Sequence, residues 1–186
     1  MKKRVFIIHG WEGSPQGNWF PWVKAELEEH NFESIILEMP NSNFPIQERW
    51  LEKMQEVITH PNERTFLIGH SLGCVSILHY LETLKEHQEV GGIILVAGFS
   101  ESLGTIPEIE NFFKKQICYE KIKLHCKKFI IINSDNDPAV PIKRGELLRD
   151  KFNAKFIVLK KAGHINRKSG YLKLPIVVEE LLKISN

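Results

Sequence analysis

Short, unbroken apolar runs recur along the chain at Val5–Ile8, Ser34–Leu37, Phe66–Ile68, Ile93–Val96, Phe129–Ile132 and Phe156–Leu159. They are rich in β-branched residues and lack polar alternation, a pattern that suits strands covered on both faces of a parallel sheet. Amphipathic segments lie between them. Ile46, Trp50, Leu51, Met54, Val57 and Ile58 form one helical stripe. Leu72, Val75, Ile77, Leu78, Leu81 and Leu84 form a broader one, which predicts a helix with much of its surface buried. Leu147, Leu148 and Phe152 mark another helix, and Val177, Val178, Leu181 and Leu182 mark the last. Asn18 is the expected cap of a helix with Pro21 in its first turn. Six strands alternating with helices predict a doubly wound α/β architecture, a mostly parallel sheet with helices on both faces, as one domain over residues 1–186. The least regular stretch is Ser100–Lys128, where Ile106, Ile109, Phe112 and Phe113 suggest a short helix. It is read as a crossover rather than as a cover over a site.

Composition narrows the functional classes. A net charge of +2 with no clustered basic face gives no electrostatic reason to expect nucleic acid as a partner. The lysine-rich stretches near Lys121–Lys128 and Lys160–Lys168 read as solvated faces. The apolar run behind Lys2, Lys3 and Arg4 is too short for a secretory signal, and no run is long enough to span a membrane. Three cysteines without a C-x-x-C pair suggest neither a disulfide framework nor a zinc cage. A reduced, cytoplasmic protein without metal or organic cofactor is therefore expected. The glycine pattern matches neither a phosphate loop nor a dinucleotide fingerprint.

In doubly wound folds, ligands bind beyond the carboxyl ends of the strands. Residues just after the apolar runs are thus the place to look for chemistry. Behind the third run stands Gly69-His70-Ser71-Leu72-Gly73, a G-x-S-x-G elbow between a strand and a helix. A serine hydroxyl is a weak nucleophile and needs a base, which in turn needs an acid to fix its tautomer. The chain has only three aspartates, and two of them, Asp135 and Asp137, follow the fifth run. Asp137 is taken as the acid and Asp135 as a turn former. Asp150 lies in a helix and reads as solvated. Glu38 is the runner-up acid, but it precedes the serine in the chain. His164 follows the sixth run and is the one histidine C-terminal to the acid. It is the expected base. Backbone N–H groups of Leu72 and of Trp11, in the loop His9-Gly10-Trp11-Glu12-Gly13-Ser14, are the expected oxyanion donors. His9 is read as a brace of that loop, His70 as packed beneath the elbow and Cys74 as a core residue. Of the nearby aromatics, Trp11 is read as a pocket residue, and Trp19, Phe20 and Trp22 are explained by core packing.

These blocks, with Asn18-Trp19-Phe20-Pro21-Trp22, Gly92–Gly98 and Ser134-Asp-Asn-Asp-Pro-Ala-Val-Pro141, resemble one family across nearly the whole chain. It is the small serine hydrolase family of retinoblastoma-binding protein 9 and the bacterial YdeN-like proteins. The resemblance implies a compact α/β-hydrolase without a large lid domain, with Ser71, Asp137 and His164 as its triad. The L-x-C-x-E motif associated with pocket-protein binding in the family's namesake is missing. Ser76 stands where glutamate would be needed in Leu72–Ser76, and Lys128 does so in Leu124–Lys128. The resemblance gives no support for that partner. The expected activity is hydrolysis of small carboxylic esters, with amides and thioesters as related substrates. Two alternatives use the same residues: a hydrolase-fold binding protein with little turnover, and an acyltransferase.

Overall fold

The structure, a computed structural model, describes residues 2–186. Its sheet has six strands: β1 (Lys3–Ile8), β2 (Phe32–Leu37), β3 (Thr65–His70), β4 (Gly92–Val96), β5 (Phe129–Ser134) and β6 (Lys155–Leu159). Their order is β2-β1-β3-β4-β5-β6, and every neighbouring pair is parallel. The chain winds outward from β1 to β2, crosses back to β3, and then proceeds in the opposite direction. Strand order therefore reverses between β1 and β3. The loops leaving those two strands diverge there and open a crevice.

Six helices flank the sheet: α1 (Phe20–Glu29), α2 (Gln47–Val57), α3 (Leu72–Glu82), α4 (Tyr119–His125), α5 (Ile142–Phe152) and α6 (Pro175–Ser185). One apolar layer gathers Phe20, Val23 and Leu27 of α1 with Val177, Val178 and Leu181 of α6. The other gathers residues of α2, α3, α4 and α5 with the opposite faces of the strands. Every residue of α3 is buried, as the broad stripe predicts. Each leucine or isoleucine removed from water in such a layer contributes about 1.5–3 kcal/mol.

Burial on both faces holds for β3, β4 and β5 but not for the edges. Lys155 and Val158 of β6 are exposed, as is Glu33 of β2, because each edge strand has a neighbour on one side only. Asn18 is not a helix cap. Trp19 occupies that position without a side-chain cap bond, while Asn18 takes φ 50° and its Oδ1 accepts the Arg167 N–H at 2.9 Å. Ile46 precedes α2 and is half exposed instead of joining its buried stripe.

The irregular stretch after β4 contains a 3₁₀ helix, Pro107–Phe113. It is tied to the body at several points. Arg144 of α5 donates to Ser102 O at 2.8 Å, and Asn111 Nδ2 donates to Pro45 O at 2.9 Å. Buried His79 of α3 places one ring nitrogen 2.8 Å from Phe112 O and the other 3.1 Å from Glu82 Oε2. Glu82 Oε1 accepts the Cys118 N–H at 3.0 Å. Among the described residues, no helix is long and apolar enough to cross a membrane.

Candidate active site

Ser71 ends the β3-to-α3 turn at φ 55° and ψ −122°, a conformation that non-glycine residues rarely adopt. The turn is tight because α3 starts directly against β1. A Cβ on Gly73 would lie 2.3 Å from Ile8 O. A Cβ on Gly10 would lie 2.9 Å from Ser71 Cβ, so the loop after β1 reaches the serine only because position 10 has no side chain. Leu72 is the first residue of α3, where backbone N–H groups have no acceptor within the helix. In the β1 loop, Glu12 N–H is taken by Ser42 O and Gly13 N–H by Gly10 O.

The loop after β5 holds Asp137 with its side chain fully buried. Its Oδ1 accepts the N–H groups of Ala139 at 2.8 Å and Val140 at 3.0 Å. Its Oδ2 lies 2.8 Å from Nδ1 of His164, in the loop after β6. A carboxylate can only accept, so Nδ1 is the donor, and Nε2 of a neutral ring is left as the acceptor. Asp135 is exposed and accepts the Lys161 N–H at 2.7 Å, bracing the same pair of loops from outside. Glu38 is exposed, and the His164 ring pairs with Asp137 instead. Asp150 is exposed beside Arg149.

Three histidines therefore have separate surroundings. His9 has Nδ1 2.8 Å from Gly10 O and accepts the Met39 N–H on Nε2 at 3.2 Å, so it braces the β1 loop. Burial lowers its pKa. His70 lies edge-on to Trp19, Phe20 and His164, with Nε2 3.0 Å from His164 O. Burial, with the neighbouring His164 adding to it, pushes its pKa down to about 3. His70 is thus a neutral support beneath the elbow. Cys74 is buried in the core, where desolvation raises its thiol pKa strongly.

Ser71, Leu72, His164 and Trp11 line one cavity of about 570 Å³. Trp11 is held there by its Nε1 donating to Asn43 O at 2.9 Å. Trp19 and Phe20 are fully buried in the core, and Trp22 packs against the same layer. The rest of the cavity corrects one sequence expectation. Leu103, Ile106 and Ile109 contribute to its wall, so the irregular stretch shapes the site as well as crossing the sheet. Arg167 and Lys168 also line it and are exposed, in keeping with the reading of the stretch containing Lys168 as a solvated face.

A polar clasp between the two loops was not legible in the sequence. Ser134 Oγ accepts the Ala162 N–H at 3.0 Å and donates to Asn136 Oδ1 at 2.8 Å. Asn136 Oδ1 also accepts the Gly163 N–H at 2.8 Å. The Ser-Asp-Asn-Asp run was the available signal, since these residue types bond to nearby backbone. Among the described residues, no group of three His, Cys, Asp or Glu side chains is placed to hold a metal ion.

Residues 5–183 match the serine hydrolase family. The chain is 36% identical over 181 residues to YdeN of Bacillus subtilis (strain 168), covering 97% of this chain and 95% of that protein. It is 31% identical over 166 residues to the serine hydrolase RBBP9 of Rattus norvegicus, covering 88% of this chain and 86% of that protein. The crystal structure of the B. subtilis ydeN gene product superimposes with a TM-score of 0.95, covering 98% of each chain. The fold is thus that of an α/β-hydrolase.

Proposed function

This chain belongs to the serine hydrolase family, and from that premise we propose that it cleaves small carboxylic esters through an acyl-enzyme, using Ser71, His164 and Asp137. The observation that carries the proposal is the 2.8 Å pairing of His164 Nδ1 with buried Asp137, on a cavity that strained Ser71 also lines. In this reading, Ser71 Oγ attacks the acyl carbon and passes its proton to His164 Nε2. Asp137 holds the imidazole in the required tautomer and stabilises its cation. The N–H groups of Leu72 and Trp11 receive the developing oxyanion. Leu72 is suited to this by its place at the start of α3, where the positive end of the helix dipole lies. His164 then returns the proton to the leaving alcohol. A water molecule, deprotonated by the same ring, releases the acid and restores Ser71.

The test combines a fluorophosphonate probe with p-nitrophenyl esters of rising chain length. Ser71→Ala is expected to abolish labelling and turnover while keeping the fold. Asp137→Asn is expected to lower kcat by about 10⁴-fold, because the amide favours the wrong imidazole tautomer. Full labelling of Ser71→Ala, or an unchanged rate in Asp137→Asn, would reject the assignment.

A further inference from the structure

We propose that the substrate pairs an apolar acyl group with an anionic leaving group, a carboxylate- or phosphate-bearing alcohol, held by Arg167 and Lys168. This rests on the hydrolase reading of Ser71 and His164 given above and extends it to the substrate class.

The cavity wall is divided by chain segment. Phe99, Leu103, Ile106, Ile109, Ala139 and Val140 supply apolar lining. Asn166, Arg167 and Lys168 supply polar, cationic lining, immediately after His164 in the chain. Glu12 is the one acidic residue on the lining. Arg167 and Lys168 are exposed, and among the described residues neither side chain forms an ion pair.

Their backbone is fixed relative to the base. Asn18 Oδ1 accepts the Arg167 N–H at 2.9 Å, and Asn166 Oδ1 accepts the Ser169 N–H at 3.0 Å. Ser169 Oγ accepts the His164 N–H at 3.2 Å. The short turn Arg167–Ser169 is therefore built onto the loop that carries His164, and Asn18 Oδ1 anchors it through the Arg167 N–H.

The chemistry assigns the two kinds of lining. The Ser71 Oγ–acyl bond forms as the bond from acyl carbon to leaving oxygen breaks. The proton taken from Ser71 goes from His164 to that departing oxygen. The leaving group must therefore sit beside His164, whose loop carries the cationic turn Arg167–Ser169. The acyl group is left to the apolar lining. An anion on the leaving group would meet two unpaired cations there and little acidic repulsion.

The probes are 4-butanoyloxybenzoate and its neutral methyl ester, titrated into Ser71→Ala protein by nuclear magnetic resonance. The benzoate is expected to bind roughly five- to tenfold more tightly, as two partly exposed charge contacts would give. Adding Arg167→Ala and Lys168→Ala to that protein, or raising salt to about 0.5 M, is expected to erase the preference. Equal binding of the two esters, or a preference that survives both substitutions, would overturn the proposal. Turnover of the methyl ester by the wild-type protein is read separately. If neither ester is hydrolysed but the binding preference is present, the hydrolase reading fails and anion recognition stands.

Discussion

Ser71 is held at φ 55°, which costs a non-glycine residue roughly 1–3 kcal/mol. The support for that strain is close at hand: the β1 loop at Gly10, the start of α3, and His70 beneath. His70 also makes pH a probe of the site. In the unfolded chain it titrates near its ordinary value of 6.5, and in the folded protein at about 3. Below pH 6.5 the unfolded state takes up a proton that the folded state excludes. His70 therefore lowers stability as pH falls from about 6.5 towards 3, with a slope near 1.4 kcal/mol per pH unit. Urea unfolding of wild type and His70→Gln between about pH 7 and 5 checks this. The variant should lose about one proton of slope, and identical slopes would contradict the assignment. Which residue types stand at the site could be read from the chain, because each catalytic candidate follows an apolar run. The partners of Asn18 and Asn136 could not be. Both are ordinary turn residues in sequence, and only the folded loops show that one binds the Arg167 N–H and the other the Gly163 N–H.

At the scale of elements, α3 and the 3₁₀ helix behave as one unit. His79 joins them by bonding to Phe112 O, while Glu82 reaches both His79 and the Cys118 N–H. His79, Glu82 and Phe112 are buried while Cys118 is exposed, in a region that also supplies Ile109 to the cavity. His79→Leu would strand Phe112 O and one Glu82 oxygen, each at a cost of about 1–3 kcal/mol. A denaturant midpoint lowered to match, with an unchanged m-value, is the expected result. A midpoint equal to wild type would show that water or a shifted chain replaces the lost partners. In sequence, His79 lies on an otherwise apolar helix, and periodicity alone assigns it only to a buried face. Its partner is more than thirty positions away, so no local pattern announces it.

For the whole molecule, burial is graded across the sheet. β3, β4 and β5 are buried throughout, whereas β2 and β6 each have one neighbour and exposed positions. Amide hydrogen exchange should follow that gradient. Amides of β3 and β4 are expected to exchange through global unfolding, and those of β6 through local opening at lower free energy. Uniform protection across all strands would contradict it. The difference between edge and centre was not legible because every run looks alike in composition. An edge is defined by strand order, which one chain segment does not encode.

The sequence by itself determined the element types, their alternation and the placing of Ser71, Asp137 and His164 behind apolar runs. These are one-dimensional properties: periodicity, turn residues and chain order follow from local sterics and from which faces must leave water. Only the tertiary structure decided that His164 meets Asp137 across 27 positions and that Asn18 meets Arg167 across 149. It also decided that the irregular stretch after β4 walls the cavity and that two cations rim it. Such contacts depend on how remote segments share one volume. The energy that forms them is spread over packing between layers and leaves no repeat along the chain.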